Sequence, residues 1–131
     1  MAATQHAVDL TRIAAQAAAD KLGTDIIAFD VSEHLAITDI FLVISARNER
    51  QVGAIVDNIE EKLLEAGEKT VSREGTLDNL WVLLDYFELV VHVQQVEERR
   101  RYSLERLWKD CPRLELGIDP TTADVDEVGE R

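Results

Sequence analysis

Residues 74–93 read EGTLDNLWVLLDYFELVVHV, and the fold turns on how this stretch is divided. Two apolar runs, residues 80–84 and 89–95, flank the four residues Asp85-Tyr86-Phe87-Glu88. Short runs rich in Val, Leu and aromatics, separated by a tight turn, predict two antiparallel strands rather than one helix. Asp85 at the first turn position suits capping by its own side chain, and Glu88 at the last is expected in solvent. Residues two apart on a strand share a face, so Val90, His92 and Gln94 point one way and Leu89, Val91 and Val93 the other. His92 therefore belongs to the more polar face, as a structural or interfacial residue rather than a catalytic one.

Working outward, residues 37–45 (ITDIFLVIS) form a second strand, apolar on both faces in its later half and hence central in a sheet. Residues 47–66 are the clearest helix. Val52, Ile55, Val56, Ile59 and Leu63 make one stripe, Asn48 is the candidate N-cap and Gly67 the stop. An Ala-rich helix is predicted over residues 4–23, from Thr4 as N-cap to Gly23 as stop. Residues 25–31 and 71–73 read as strands, the latter short and at a sheet edge. Residues 103–109 read as a short helix capped by Ser103, with Leu104, Leu107 and Trp108 facing inward. The order α-β-β-α-β-β-β-α predicts an α/β (α+β) sandwich whose mixed sheet of about five strands is flanked by helices.

The chain of 131 residues is most simply one domain, residues 1–116, followed by residues 117–131 as a disordered acidic tail. That tail sets Asp119, Asp124, Asp126, Glu127 and Glu130 against Arg131 and so carries −4 of the formal charge of −12. The N-terminus has no signal-peptide pattern, and no apolar run is long enough to span a bilayer, so a cytoplasmic protein without membrane contact is expected. A net charge of −12 argues against direct nucleic-acid recognition, which needs a basic face, and favours a basic protein partner. The run Arg99-Arg100-Arg101 leaves room for one local basic patch.

Catalytic patterns are weak throughout. His6, His34 and His92 fall in a helix, a loop and a strand with no pair at metal-ligand spacing. Cys111 is the single cysteine and has no neighbouring base in sequence. No nucleophile elbow or glycine-rich phosphate loop occurs. A metal-dependent nucleotidyltransferase is the strongest enzyme reading. It needs two acids one residue apart on a strand, and here Asp39 is followed two residues later by Phe41. Asp85 and Glu88 lie across a turn and need not point the same way. The expectation is therefore no enzyme, no metal and no cofactor. Of the aromatics, Trp81, Tyr86, Phe87, Tyr102 and Trp108 gather in the C-terminal half, a composition suited to a protein-binding hot spot ringed by acids.

Several of these segments together resemble the ribosomal silencing factor family (RsfS, Iojap-like proteins). They are Ile37-Thr-Asp-Ile-Phe-Leu-Val-Ile-Ser-Ala46, Gln51-Val-x-Ala-Ile-x-Asp57, Glu74-Gly75 and Trp81-Val-Leu-Leu-Asp-Tyr86. Val90-Val-His-Val93 and Arg101-Tyr-x-Leu-Glu-x-Leu-Trp108 complete the set, which covers about residues 5–110 in order. The resemblance implies a nucleotidyltransferase-like fold without its catalytic acids. It also implies a translational repressor that binds the universal protein numbered fourteen of the large ribosomal subunit and blocks subunit association when nutrients are short. On that basis the contact surface is expected on the Glu74–Tyr86 strand and its rim, with Asp39, Tyr102 and Trp108 nearby. Trp81 and Tyr86 would be apolar anchors, and Glu74, Asp78 and Asp85 would meet basic residues of the partner. A homodimer through the same apolar strand is a further reading. The family usually has glycine where this chain has Phe87, which implies a different turn or an exposed aromatic there.

Overall fold

The computed structural model describes residues 2–118. Its elements are α1 (Gln5–Asp20), β1 (Thr24–Asp30), β2 (Ile40–Ala46), α2 (Glu49–Glu65), β3 (Ser72–Glu74), β4 (Trp81–Asp85), β5 (Leu89–Gln95), α3 (Val96–Arg101) and α4 (Leu104–Leu107). The strands form one five-stranded sheet in the order β1-β2-β5-β4-β3. β2 and β5 pair in parallel while the other neighbours are antiparallel. The mixed sheet, the central place of β2 and the β4–β5 hairpin all follow the sequence expectation.

Both long helices cover one sheet face. Alternate residues of the central strands point there: Ile40, Leu42 and Ile44, then Val82 and Leu84, then Leu89, Val91 and Val93. They meet Leu10, Ala14 and Ala17 of α1 and Val52, Ile55, Ile59 and Leu63 of α2. Alanine at the α1 contacts removes side-chain bulk, so that helix sits close to sheet and neighbour alike. Thr4 Oγ1 accepts from the Ala7 amide at 3.1 Å, and Asn48 Oδ1 from the Gln51 amide at 2.9 Å, as expected of N-caps. Gly67, at φ +91°, ends α2. Gly23 serves differently from expectation: the left-handed residue after α1 is Leu22, at φ 64°. What Gly23 provides is room, since a Cβ there would lie 3.0 Å from both the Ala18 carbonyl and the Ile44 side chain.

The other sheet face carries a smaller core. Phe29, Val31, Val43 and Cys111 are buried there, with Phe41, Leu104 and Trp108 packed against them. Here the structure departs from the sequence expectation in three ways. α3 has no local signal in the sequence, because β5 passes directly into it and its N-cap Gln95 makes no side-chain capping bond. Leu107 does not face inward but is 67% exposed. The arginine run is likewise no basic patch. Arg99 is buried, its Nε donating to Glu105 at 2.7 Å and its Nη1 to Ser45 Oγ at 2.8 Å. Arg100 and Arg101 pair with Glu97 and Glu98 one turn earlier. After α4 the chain returns along β1, where Asp30 N donates to the Pro112 carbonyl and Leu114 N to that of Ala28. Leu114, Leu116 and Ile118 pack against the main core. The acidic tail expected from Gly117 lies, from residue 119 on, outside the described residues.

Candidate functional site

The β4–β5 register sets the site. Trp81 faces Gln94, Leu83 faces His92 and Asp85 faces Val90. On the other side of β5, Phe41, Val43 and Ser45 of β2 face Val90, His92 and Gln94. These residues share the face that α1 and α2 leave free. In β4, Val82 and Leu84 are buried under the helices, whereas Trp81, Leu83 and Asp85 stay partly open.

Aromatic rings run across this face in a row. Trp108 meets Phe41 edge-on at 5.5 Å between centroids, and Phe41 lies 4.9 Å from His92. His92 is 6.0 Å from Trp81, and Trp81 is 5.4 Å from Tyr102. The row is buried at its middle and opens at its Tyr102 end, where the ring is 48% exposed. Offset and tilted contacts of this kind hold large apolar surface in fixed orientation. Trp81 Nε1–H also donates to His92 Nδ1 at 3.1 Å, which places the imidazole proton on Nε2. Burial pushes the His92 pKa down from an ordinary 6.5 to about 4, so the ring is neutral near pH 7.

Two glycine-like positions shape the ends of β4. Gly75, at φ +85°, lets the β3–β4 connection close on Trp81; a Cβ there would fall 2.0 Å from the Trp81 carbonyl oxygen. At the other end Glu88 N donates to the Tyr86 carbonyl at 2.9 Å across Phe87, whose φ is 67°. That is a γ-turn with positive φ at its centre, an uncommon and strained choice for a phenylalanine. Asp85 Oδ1 accepts from the Phe87 amide at 2.8 Å, the side-chain capping expected of it. Glu88 is not simply solvated: it is half-buried and accepts from Thr4 Oγ1 at 2.7 Å. Phe87 itself is 58% exposed.

The expected contact residues are thus divided. Glu74, Trp81 and Asp85 share one face by register, and Tyr102 joins Trp81 through the α3–α4 connection. Asp78 is exposed nearby in the β3–β4 connection, accepting from the Leu80 amide at 3.1 Å. Tyr86 is corrected: one residue beyond β4 it turns to the helix side, is 4% exposed and bonds through its hydroxyl to Thr70. It is a core residue and not a surface anchor. Asp39 stands at the Asp85 end of this face, where its amide donates to the Glu88 carbonyl, and away from Trp81. It precedes Ile40, which pairs with the start of β5, whereas Trp81 pairs near its end. Five residues of strand put them roughly 17 Å apart. Its carboxylate accepts the Thr4 amide at 3.0 Å and so helps seat α1. Trp108 belongs to the row through Phe41, with its Nε1 buried and without a partner among the described residues.

Phe41 and His92 are the members of the row absent from the expected contact set. The signal for His92 was present in its alternation with Gln94. Its place beside Trp81 follows once the turn is put at Phe87 and Glu88. Elsewhere the chemistry is spare. Among the described residues no three His, Cys, Asp or Glu side chains are gathered to hold a metal ion. Burial, with Asp110, Asp30 and Glu33 adding to it, pushes the Cys111 thiol up, away from nucleophilic use. No helix among the described residues is long and apolar enough to cross a membrane.

The sequence profile of a family described as "Ribosomal silencing factor during starvation" (RsfS) matches residues 4–130. The ribosomal silencing factor RsfS of Bacillus subtilis is 37% identical over 82% of this chain and 91% of its own length. That of Halalkalibacterium halodurans is 35% identical over 82% of this chain and 92% of its own. A crystal structure of a Chromobacterium violaceum protein superposes with a TM-score of 0.75 at 30% identity, covering 88% of this chain and 95% of that one.

Proposed function

Since this chain belongs to the ribosomal silencing factor family, we propose that it represses translation by docking on the large ribosomal subunit and blocking its union with the small one. The family makes it a ribosome-silencing factor, which supports a regulatory role. The partner we propose is the basic universal protein numbered fourteen, on the face where the small subunit docks. The observation that carries this reading is the open end of the aromatic row. There Trp81 and Tyr102 offer a rigid apolar surface, with the carboxylates of Glu74 and Asp85 on the same face and Asp78 at its rim. A desolvated aromatic centre within a charged rim is the usual anatomy of a protein-binding hot spot. The chain's charge of −12 steers it toward a basic partner. Repression then needs no chemistry: a folded domain seated on the joining face excludes the small subunit by volume.

Co-sedimentation with purified subunits tests this. The protein should travel with large subunits and not small ones, and should reduce their joining when added in excess. Trp81→Ala combined with Asp85→Lys should weaken that association at least about thirtyfold, as loss of one hot-spot residue does. Binding of neither subunit would overturn the reading, and an unaffected double variant would overturn the surface.

A further inference from the structure

We propose that His92 is a positioning residue for the docking surface, its Nδ1 fixing the indole of Trp81 in the orientation that meets the ribosomal partner. The inference rests on the docking role proposed for Trp81.

His92 sits where an apolar side chain would be the cheaper choice. It lies between Val91 and Val93 in β5 and is 4% exposed. Its Nε2 is buried without a partner among the described residues, and a buried polar atom left unpaired costs stability that a hydrocarbon would not. What the imidazole alone supplies at that place is the acceptor for Trp81 Nε1–H, at 3.1 Å. The register makes the two residues diagonal neighbours across β4 and β5, within reach for large side chains. The neutral ring is the form that accepts, and its burial keeps it neutral.

The indole is then held from two sides. His92 binds its nitrogen edge and Tyr102 stacks at 5.4 Å with 35° between planes. His92 is braced in turn by Phe41 at 4.9 Å. Rotation of Trp81 about its side-chain bonds would break the hydrogen bond and the stacking together. An anchor already fixed in its bound orientation loses less freedom on association, so the gain appears as affinity.

The test uses the full chain with 15N-labelled indoles and purified large subunits. Two tryptophans give two indole N–H signals, and the one missing in Trp81→Ala belongs to Trp81. His92→Phe keeps an aromatic ring but removes the acceptor. His92→Asn places an amide oxygen near the position of Nδ1. In His92→Phe the Trp81 signal should shift to that of an unbonded indole and exchange faster with water, and large-subunit affinity should fall roughly fivefold to tenfold. His92→Asn should restore most of both. Wild-type affinity in His92→Phe, while Trp81→Ala is impaired, would overturn the positioning role and leave the docking surface standing. Failure of His92→Asn to restore either readout would also overturn it, since ring volume and not the acceptor would then matter. Wild-type affinity in Trp81→Ala would overturn the docking role of Trp81, and the role of His92 with it, while leaving large-subunit binding standing.

Discussion

Phe87 occupies the centre of the β4–β5 turn at φ 67°, a backbone region in which a side chain with a Cβ is strained by about 1–2 kcal/mol. Its ring is 58% exposed and so recovers little of that cost through packing. Glycine adopts this φ freely, at the expense of a more disordered unfolded chain. Phe87→Gly should therefore stabilise the domain by about 1 kcal/mol net. Urea unfolding followed by circular dichroism would show a raised midpoint with an unchanged slope. A lowered midpoint would mean that the exposed ring packs usefully. Gly75 makes the opposite case at the other end of β4, because a Cβ 2.0 Å from the Trp81 carbonyl cannot be accommodated by a side-chain rotation.

At the scale of elements, α3 shows how a short helix with poor local signals is held by one long-range contact. Six residues are too few for a helix to persist alone. Arg99 reaches from it into the sheet, to Ser45 Oγ of β2 at 2.8 Å and to Glu105 of α4 at 2.7 Å. It thereby ties α3 and α4 over the second face and sets Tyr102, which lies between them, against Trp81. Truncating a buried, hydrogen-bonded charge leaves its partners unsatisfied at a cost of about 3 kcal/mol. Arg99→Ala should lose that much in thermal or urea unfolding and should raise the solvent exposure of Trp81, read by fluorescence quenching. Wild-type stability would show that packing, and not Arg99, holds α3. The longer elements were legible in advance because α1, α2, β2 and β5 declare themselves by period, caps and apolar content. α3 has six residues and no side-chain cap, so nothing local marks where β5 ends.

For the whole molecule, one buried base links stability to pH. His92 remains neutral in the folded chain down to about pH 4, whereas in the unfolded chain it takes up a proton near pH 6.5. Between those values the unfolded state binds the extra proton, so stability falls as pH falls through this window and is undiminished above it. The loss amounts to about 3 kcal/mol by pH 4. Asp30 acts lower down. Burial works to raise its pKa, but hydrogen bonds from Ser32 and the Ala3 amide outweigh this and hold it below its ordinary 3.8. Its contribution is present above 3.8 and is lost as pH falls through its lowered value. Urea midpoints from pH 7 to 4 should decline in the wild type and stay nearly level in His92→Asn. Parallel decline in both would assign the slope to other groups.

The sequence by itself determined the order of most elements, the caps at Thr4 and Asn48, the hairpin and the alternation of β5. These are set by periodicity, turn chemistry and capping within a few neighbouring residues. It also yielded the family, because the matching segments recur in order along the chain. Only the tertiary structure decided that Trp81 faces outward while Tyr86 enters the core, that Asp39 stands at the far end of the sheet from Trp81, and that Arg99 is buried. It alone brought Tyr102 and His92 to either side of one indole. Those facts depend on strand register and on which face the helices cover, and both are settled by burial between residues far apart in the chain.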